Sequence, residues 1–110
     1  MVVHDLTDEE MNLLFHALAD ATRRDIIARV TQREQSVSAL AQQYLISFAA
    51  VQKHVAVLEK AALVVKHRKG REQIVHGNPE ALRKAARLLE EYEQLWAGRV
   101  DRITRILAED

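Results

Sequence analysis

Cysteine is absent from this chain, which excludes disulfides, thiolate metal sites and thiol redox switches together. No apolar run approaches the roughly 20 residues needed to span a bilayer, so no membrane partner is expected. The opening MVVHDLTDEE is acidic and has neither the basic stretch nor the cleavage signal of a secretory peptide. A cytoplasmic location is the expectation. There is no glycine-rich phosphate loop, no thiol nucleophile and no recognisable serine–histidine–acid set, which argues against an enzyme. No internal repeat or low-complexity segment breaks the 110 residues. A chain of that length has room for one domain with one core, spanning 1–110.

Net charge is also missing, but its distribution is uneven. From Asp20 to His76 ten Lys and Arg (Arg23, Arg24, Arg29, Arg33, Lys53, Lys60, Lys66, Arg68, Lys69, Arg71) stand against five acids. Residues 1–19 hold four acids and no Lys or Arg, and residues 77–110 hold six basic and seven acidic side chains. A basic centre with a neutral or acidic periphery is the local field that phosphate binding needs, and the overall sum hides it.

Hydrophobic residues, 48% of the chain, fall into helical and strand periods. Thr7 and Glu10 have capping-box spacing ahead of Met11, Leu14, Phe15 and Leu18, predicting a helix over about 8–19. Thr22 can cap a second, with Ile26, Ile27 and Val30 on one side and arginines on the other. Ser36 or Ser38 caps a short third helix containing Leu40, Ala41 and Tyr44. Ser47 caps a fourth, with Val51, Val55, Leu58 and Ala62 as its buried stripe. Only a few residues around Leu45 and Ile46 separate the last two, so about 36–62 reads as a helix-turn-helix. The period then changes to strand-like at Leu63–Lys66 and again at Gln73–His76. Lys69-Gly70 turns between them, giving one β-hairpin over about 63–77 with positive φ at Gly70. Asn78-Pro79 restarts a helix that runs over about 79–109. Gly98 is expected to kink or divide it, since glycine costs about 1 kcal/mol inside a helix.

The fold class that follows is mainly α with one β-hairpin: a winged helix-turn-helix carrying a long C-terminal helix. With Val51, Val55 and Leu58 turned inward, the fourth helix presents Phe48, Ala49, Gln52, Lys53 and Ala56. The start of a recognition helix lies deepest in the major groove of duplex DNA. Gln52 can pair with adenine, Lys53 can donate to guanine or phosphate, and Ala49 permits close approach or contact with a thymine methyl. Phe48 suits base contact or packing. The same face also fits a merely solvated helix, but the turn before it and the hairpin after it favour DNA. Lys66, Arg68, Lys69 and Arg71 on the hairpin suit phosphates with little sequence choice, although charged tips also serve solubility. Ser36 and Ser38, and Ser47 at the head of the fourth helix, join the phosphate-contact set through hydroxyl or backbone N–H. Their role as helix caps is compatible with it.

Three stretches also resemble the ArsR/SmtB-type bacterial regulators. LADATRRDIIARV is similar to that family's LADPTRRRIL pattern, SVSALAQQYLISFAAVQKHVAVLEKAALV to its helix-turn-helix, and KHRKGREQIV to its wing. The likeness runs from about Phe15 to Asp110, and the EYEQLWAGRVDRITRIL tail is most similar to members without a cysteine sensor motif. It implies a dimeric regulator, more often a repressor, built on the first and last helices, with a palindromic operator. The last helix supports this independently, because Leu88 and Leu95 form a second apolar row beside Leu89, Tyr92 and Trp96. The expected dimer residues are Leu14, Leu89, Tyr92, Trp96, Val100 and Ile103. His54 matches a common family position and is expected to pack or to contact DNA.

Five histidines (His4, His16, His54, His67, His76) invite a metal-sensor reading. Gln35, Ser36 and Val37 stand where the family's cysteine pair would be, and the last helix has no histidine, so no metal and no cofactor are expected. A site from His4, Asp5 and His16 across a dimer is the remaining possibility. Leu45 and Ala62 occupy positions where glycine is common in the family, and Ala21 one where proline is frequent. At about 1 kcal/mol per left-handed non-glycine residue, such changes are tolerable. Two rival readings remain: a sensor whose metal or small ligand binds between the first and last helices, and a winged module that binds protein only. No inducing ligand can be named from the residues.

Overall fold

The computed structural model describes residues 6–108. Its elements run α1 (Asp8–Leu18), α2 (Ala21–Gln32), β1 (Gln35–Ser36), α3 (Val37–Ala41), α4 (Phe48–Lys60), β2 (Val64–Lys69), β3 (Glu72–Gly77) and α5 (Pro79–Ala108). The order matches the sequence expectation, with one addition. The two-residue β1 pairs antiparallel with β3 (Gln35 opposite Val75, Ser36 opposite Ile74) and makes a three-stranded sheet in the order β1-β3-β2. Two residues are too few to show a period of two, so nothing in the pattern announced them.

Local capping sets most helix starts. The Thr7 hydroxyl accepts the Glu10 N–H at 3.1 Å, and the Glu10 carboxylate accepts the Thr7 N–H at 2.9 Å, completing the capping box. That second bond holds the Glu10 carboxyl below its ordinary value. α2 is capped by Asp20, not Thr22: the Asp20 carboxylate accepts the Arg23 N–H at 3.0 Å, which lowers its pKa. A carboxylate is the stronger acceptor at the positive end of a helix, so it takes the role when both residues are available. Ser36 caps α3 and Ser47 caps α4, each accepting the N–H three residues on.

The core gathers Leu14, Ile26, Leu40, Val51, Val55, Leu58, Leu63 and Val75, all at most 1% exposed. α4 contributes its inward face as expected, except that Ala61 and not Ala62 closes the stripe. Ala62 is exposed and has φ +61°, the one positive φ at a non-glycine among the described residues. It ends α4 in a Schellman motif: the Leu63 N–H reaches the Leu58 carbonyl at 2.9 Å and the Ala62 N–H the Glu59 carbonyl at 2.9 Å. Leu45, the other position marked for a missing glycine, has negative φ and therefore no strain of that kind. Gly70 has φ +65° at the first position of the two-residue loop between Lys69 and Glu72, as a type II′ turn requires. Both hairpin strands are longer than their apolar cores suggested. Asn78 turns its side-chain amide onto the Ala62 carbonyl at 2.9 Å, joining the α4 end to the start of α5.

α5 is one unbroken helix of 30 residues. The break expected at Gly98 does not occur. A glycine weakens a helix but removes no backbone hydrogen bond, and no neighbour lies within 4 Å to force a bend. The helix buries Ala81, Ala85 and Leu88 on the core and then leaves it. The molecule consequently measures 70 × 29 × 22 Å, with a radius of gyration of 18.7 Å, against about 13 Å for a compact domain of this length.

Candidate nucleic-acid interface and uncovered helix face

The exposed face of α4 is built by elimination. Val51, Val55 and Leu58 point inward, so the helical period turns Phe48, Ala49, Gln52 and Lys53 to solvent. Phe48, at the first turn, is 46% exposed. The N-terminal end of α4, its orphan N–H groups and the Ser47 cap lie at the same surface. Beside it runs a groove of about 240 Å³, lined by Ser38 from α3, Phe48 and Gln52 from α4, and Lys66, Arg71 and Gln73 from the hairpin. Amide, hydroxyl and cationic groups, together with the Glu72 carboxylate, therefore converge around one apolar ring. Gln73 was missed in the sequence; the β3 alternation that buries Val75 also turns Gln73 toward α4.

The hairpin projects as a wing. Arg68, Lys69 and Arg71 are exposed at its tip, and none has an ion pair among the described residues. Arg68 Nε donates to the Gly70 carbonyl at 3.4 Å, bracing the turn. Lys66 differs: its ammonium lies 3.4 Å from the Glu59 carboxylate and ties β2 to α4.

Two residues of the expected contact set are otherwise engaged. Ser36 is 8% exposed and its hydroxyl is committed to the α3 cap, because the β1 pairing draws it inward. Ser38 remains exposed. His54 sits on the inner flank of α4, with Nδ1 3.4 Å from Arg23 and 3.9 Å from the Asp20 carboxylate. Of its two expected roles, packing is the one the structure displays.

The arginines of the basic centre divide in the same way. Arg23 donates to the carbonyls of Ala17 (2.8 Å) and His16 (2.9 Å), and Arg24 to that of Leu18 (2.7 Å). They cap the C-terminal end of α1, where cations oppose the negative end of the dipole. Arg29 joins Asp25 (2.7 Å) and Gln43 (2.6 Å) and lies over the Tyr44 ring, its carbon 5.4 Å from the centroid. Tyr44 also donates to Asp25 at 2.5 Å. Burial, followed by this bond, pushes the Tyr44 phenol up to about 12, while the hydrogen bonds from Tyr44 and Arg29 hold the Asp25 carboxyl below its ordinary value. This network pins the end of α3 to α2 and so fixes where α4 begins.

The expected dimer residues also separate. Leu14 is 1% exposed and belongs to the core. α1 packs on both α2 and α4, and the outward position beside Leu14 is Phe15, 38% exposed. Leu89, Tyr92, Trp96, Val100 and Ile103 are 44–68% exposed along α5, joined by Leu95, Ile106 and Leu107. No group of three or more His, Asp or Glu among the described residues is placed to hold a metal ion. The His4 and Asp5 of the conjectured site lie outside the described residues.

Helix-turn-helix, hairpin wing and projecting helix define a winged helix-turn-helix protein. No family model matches the sequence, and no curated relative does. Solved structures do. An ArsR-like transcriptional regulator from Rhodococcus sp. RHA1 is 34% identical over 89% of this chain and 92% of its own, with a TM-score of 0.78. A second ArsR-family transcriptional regulator is 29% identical over 84% and 95%, also with a TM-score of 0.78. A homodimeric winged helix-turn-helix DNA-binding domain from Mycobacterium bovis shares the fold at 19% identity and a TM-score of 0.64, over 84% and 92%. The chain belongs to the ArsR family of transcriptional regulators, which are not enzymes. No helix among its described residues is long and apolar enough to cross a membrane.

Proposed function

We propose that this protein binds duplex DNA sequence-specifically as a homodimer, and represses transcription from an imperfectly palindromic operator without needing a metal. The observation that carries the reading is the convergence at α4. Phe48, Ala49, Gln52 and Lys53 face outward at the helix start, beside a groove flanked by the cationic wing. In this reading Gln52 selects adenine, Ala49 and Phe48 meet thymine methyls, and Lys53 takes a guanine or a phosphate. Ser38, Ser47, Arg68, Lys69 and Arg71 fix the register on the backbone. The exposed stripe of α5 provides the two-fold contact, which sets paired α4 helices about one DNA turn apart. The homodimeric state of the Mycobacterium bovis domain supports that arrangement. We read the whole chain as one winged domain with its dimerisation helix, acting in the cytoplasm.

Selection of bound sequences from a random DNA library tests this. A palindrome should emerge, its affinity falling steeply with salt. Gln52→Ala should flatten base preference at one position per half-site, at about 1–3 kcal/mol. Failure to bind any duplex at low salt overturns the reading.

One observation favours a ligand-responsive variant of it. An open cleft of about 460 Å³ between α1 and α5 is lined by Asp8, Met11, Asn12, Phe15, Leu88 and Tyr92. Release of the selected operator by a small molecule, abolished in Asn12→Trp, would establish it.

A further inference from the structure

We propose that His67 and His76 form a two-imidazole site for a divalent late transition-metal ion, of the zinc or nickel type, on the outer face of the wing. The β-ladder brings them together. His67 pairs with Ile74 and His76 with Val65, so the alternation of side chains puts both histidines on one face as diagonal neighbours. Their ring centroids are 5.4 Å apart, with planes inclined at 58°. Two imidazoles bound to adjacent positions of one tetrahedral ion, at about 2.0–2.1 Å per nitrogen, place their ring centres about 5 Å apart. The pair therefore already stands near the chelating separation, and rotation about the side-chain bonds is the adjustment required.

The surroundings suit an ion. His67 is exposed and His76 half-buried, which leaves solvent room to complete the coordination shell. Neither ring has a hydrogen bond or an ion pair among the described residues, so no partner must be displaced. Lys66 and Arg68 alternate onto the opposite face, and Lys69 lies a full rung nearer the tip, opposite Glu72. Imidazole ligands without thiolates or a carboxylate cage select zinc, nickel or copper over magnesium and calcium. With two protein ligands the ion is held reversibly and is an accessory group; the sheet forms without it. His76 stands three residues before the start of α5, and β3 also pairs with β1, where Gln35 lies opposite Val75. The site is nevertheless made by the two wing strands alone, and it does not rest on the DNA-binding reading.

The test is a zinc chloride titration of the full chain without DNA, followed through the histidine ring signals in NMR. The expected result is one saturating event that shifts the His67 and His76 rings together and weakens as pH falls, because protons compete for the same nitrogens. His67→Gln and His76→Gln should each weaken it at least about tenfold, the loss that even an outer-shell partner of a ligating histidine typically causes. His16→Gln should leave it unchanged. Circular dichroism confirms that each variant folds; His67 is exposed, and His76, though half-buried, lies outside the core cluster. Absence of saturable binding at millimolar zinc, or binding that survives both wing variants, overturns the proposal.

Discussion

The two halves of α5 carry the same amphipathic pattern and meet opposite fates. In the first half the stripe is made of Ala81, Ala85 and Leu88, all under 9% exposed; small side chains let the helix lie close against the core. From Leu89 onward the stripe is made of Leu89, Tyr92, Leu95, Trp96, Val100, Ile103 and Ile106, 44–68% exposed. The more hydrophobic half is the uncovered one. A period of 3.6 records that a face is to be buried, and the size of its residues records how closely. Neither records whether the covering surface belongs to the same chain.

The sharpest way to break this comparison is to charge the uncovered half alone. Trp96→Asp combined with Ile103→Asp should convert the proposed dimer to a monomer in sedimentation equilibrium. Operator affinity should fall by about a hundredfold or more at fixed protein concentration, since one recognition helix is left to bind alone. Helical content of the winged part should persist, because neither residue touches its core. A variant that remains dimeric removes α5 from the interface.

The counterpart in the covered region is Leu58→Ala. Leu58 is 0% exposed, and its truncation should cost about 2–5 kcal/mol. Urea unfolding should show that loss at any protein concentration, if the core belongs wholly to one chain. A loss that grows on dilution would mean that the winged part is itself stabilised by association.

What the sequence disclosed follows from the range of the interactions. The Thr7–Glu10 capping box, the Ser47 cap, the Val51–Val55–Leu58 stripe and the Gly70 turn are contacts within one element, and each is readable as a spacing. Asp20 against Thr22 is a choice between adjacent acceptors, which spacing alone does not decide. Arg23 and Arg24 count only as charge in the basic centre until the fold brings α1's carbonyl ends to them. His54 acquired its neighbours through α2, 31 residues away from it at Arg23. Leu14 shows the limit most directly: on an isolated helix, an apolar position destined for the core and one destined for a partner look alike.

A smaller effect is expected at Tyr44, which couples the helix-turn-helix to α2. Tyr44→Phe removes the hydroxyl bond to Asp25 and should cost about 1 kcal/mol at neutral pH. The pH dependence gives a second readout. Tyr44's folded pKa is raised to about 12, above the roughly 10 of an unfolded tyrosine. Its contribution is therefore complete below about pH 10 and lost as pH climbs toward 12. Asp25, whose pKa is lowered, contributes above its ordinary value near pH 4 and loses that contribution as the solution is acidified. The gap in urea midpoint between wild type and Tyr44→Phe should narrow above about pH 10; a constant gap would show that the phenol is not held neutral by its surroundings.

The finest probe exchanges the two residues that local propensity would place the other way round. Ala62 holds a left-handed conformation that suits glycine, and Gly98 sits mid-helix where alanine is preferred. Ala62→Gly should relieve the strain, offset in part by the greater freedom of glycine in the unfolded chain, for a net gain of about 0.5 kcal/mol. Gly98→Ala should gain up to about 1 kcal/mol of helix stability, with no clash, because no atom lies within 4 Å of the added methyl. The first gain belongs to the covered region and should appear equally at every protein concentration. The second belongs to the projecting half, which nothing in the single chain covers, and should appear as tighter dimerisation if that half makes the proposed contact. If Gly98→Ala instead raises stability at high dilution by the same amount, the projecting half folds as part of the monomer and the division drawn along α5 is one of packing alone.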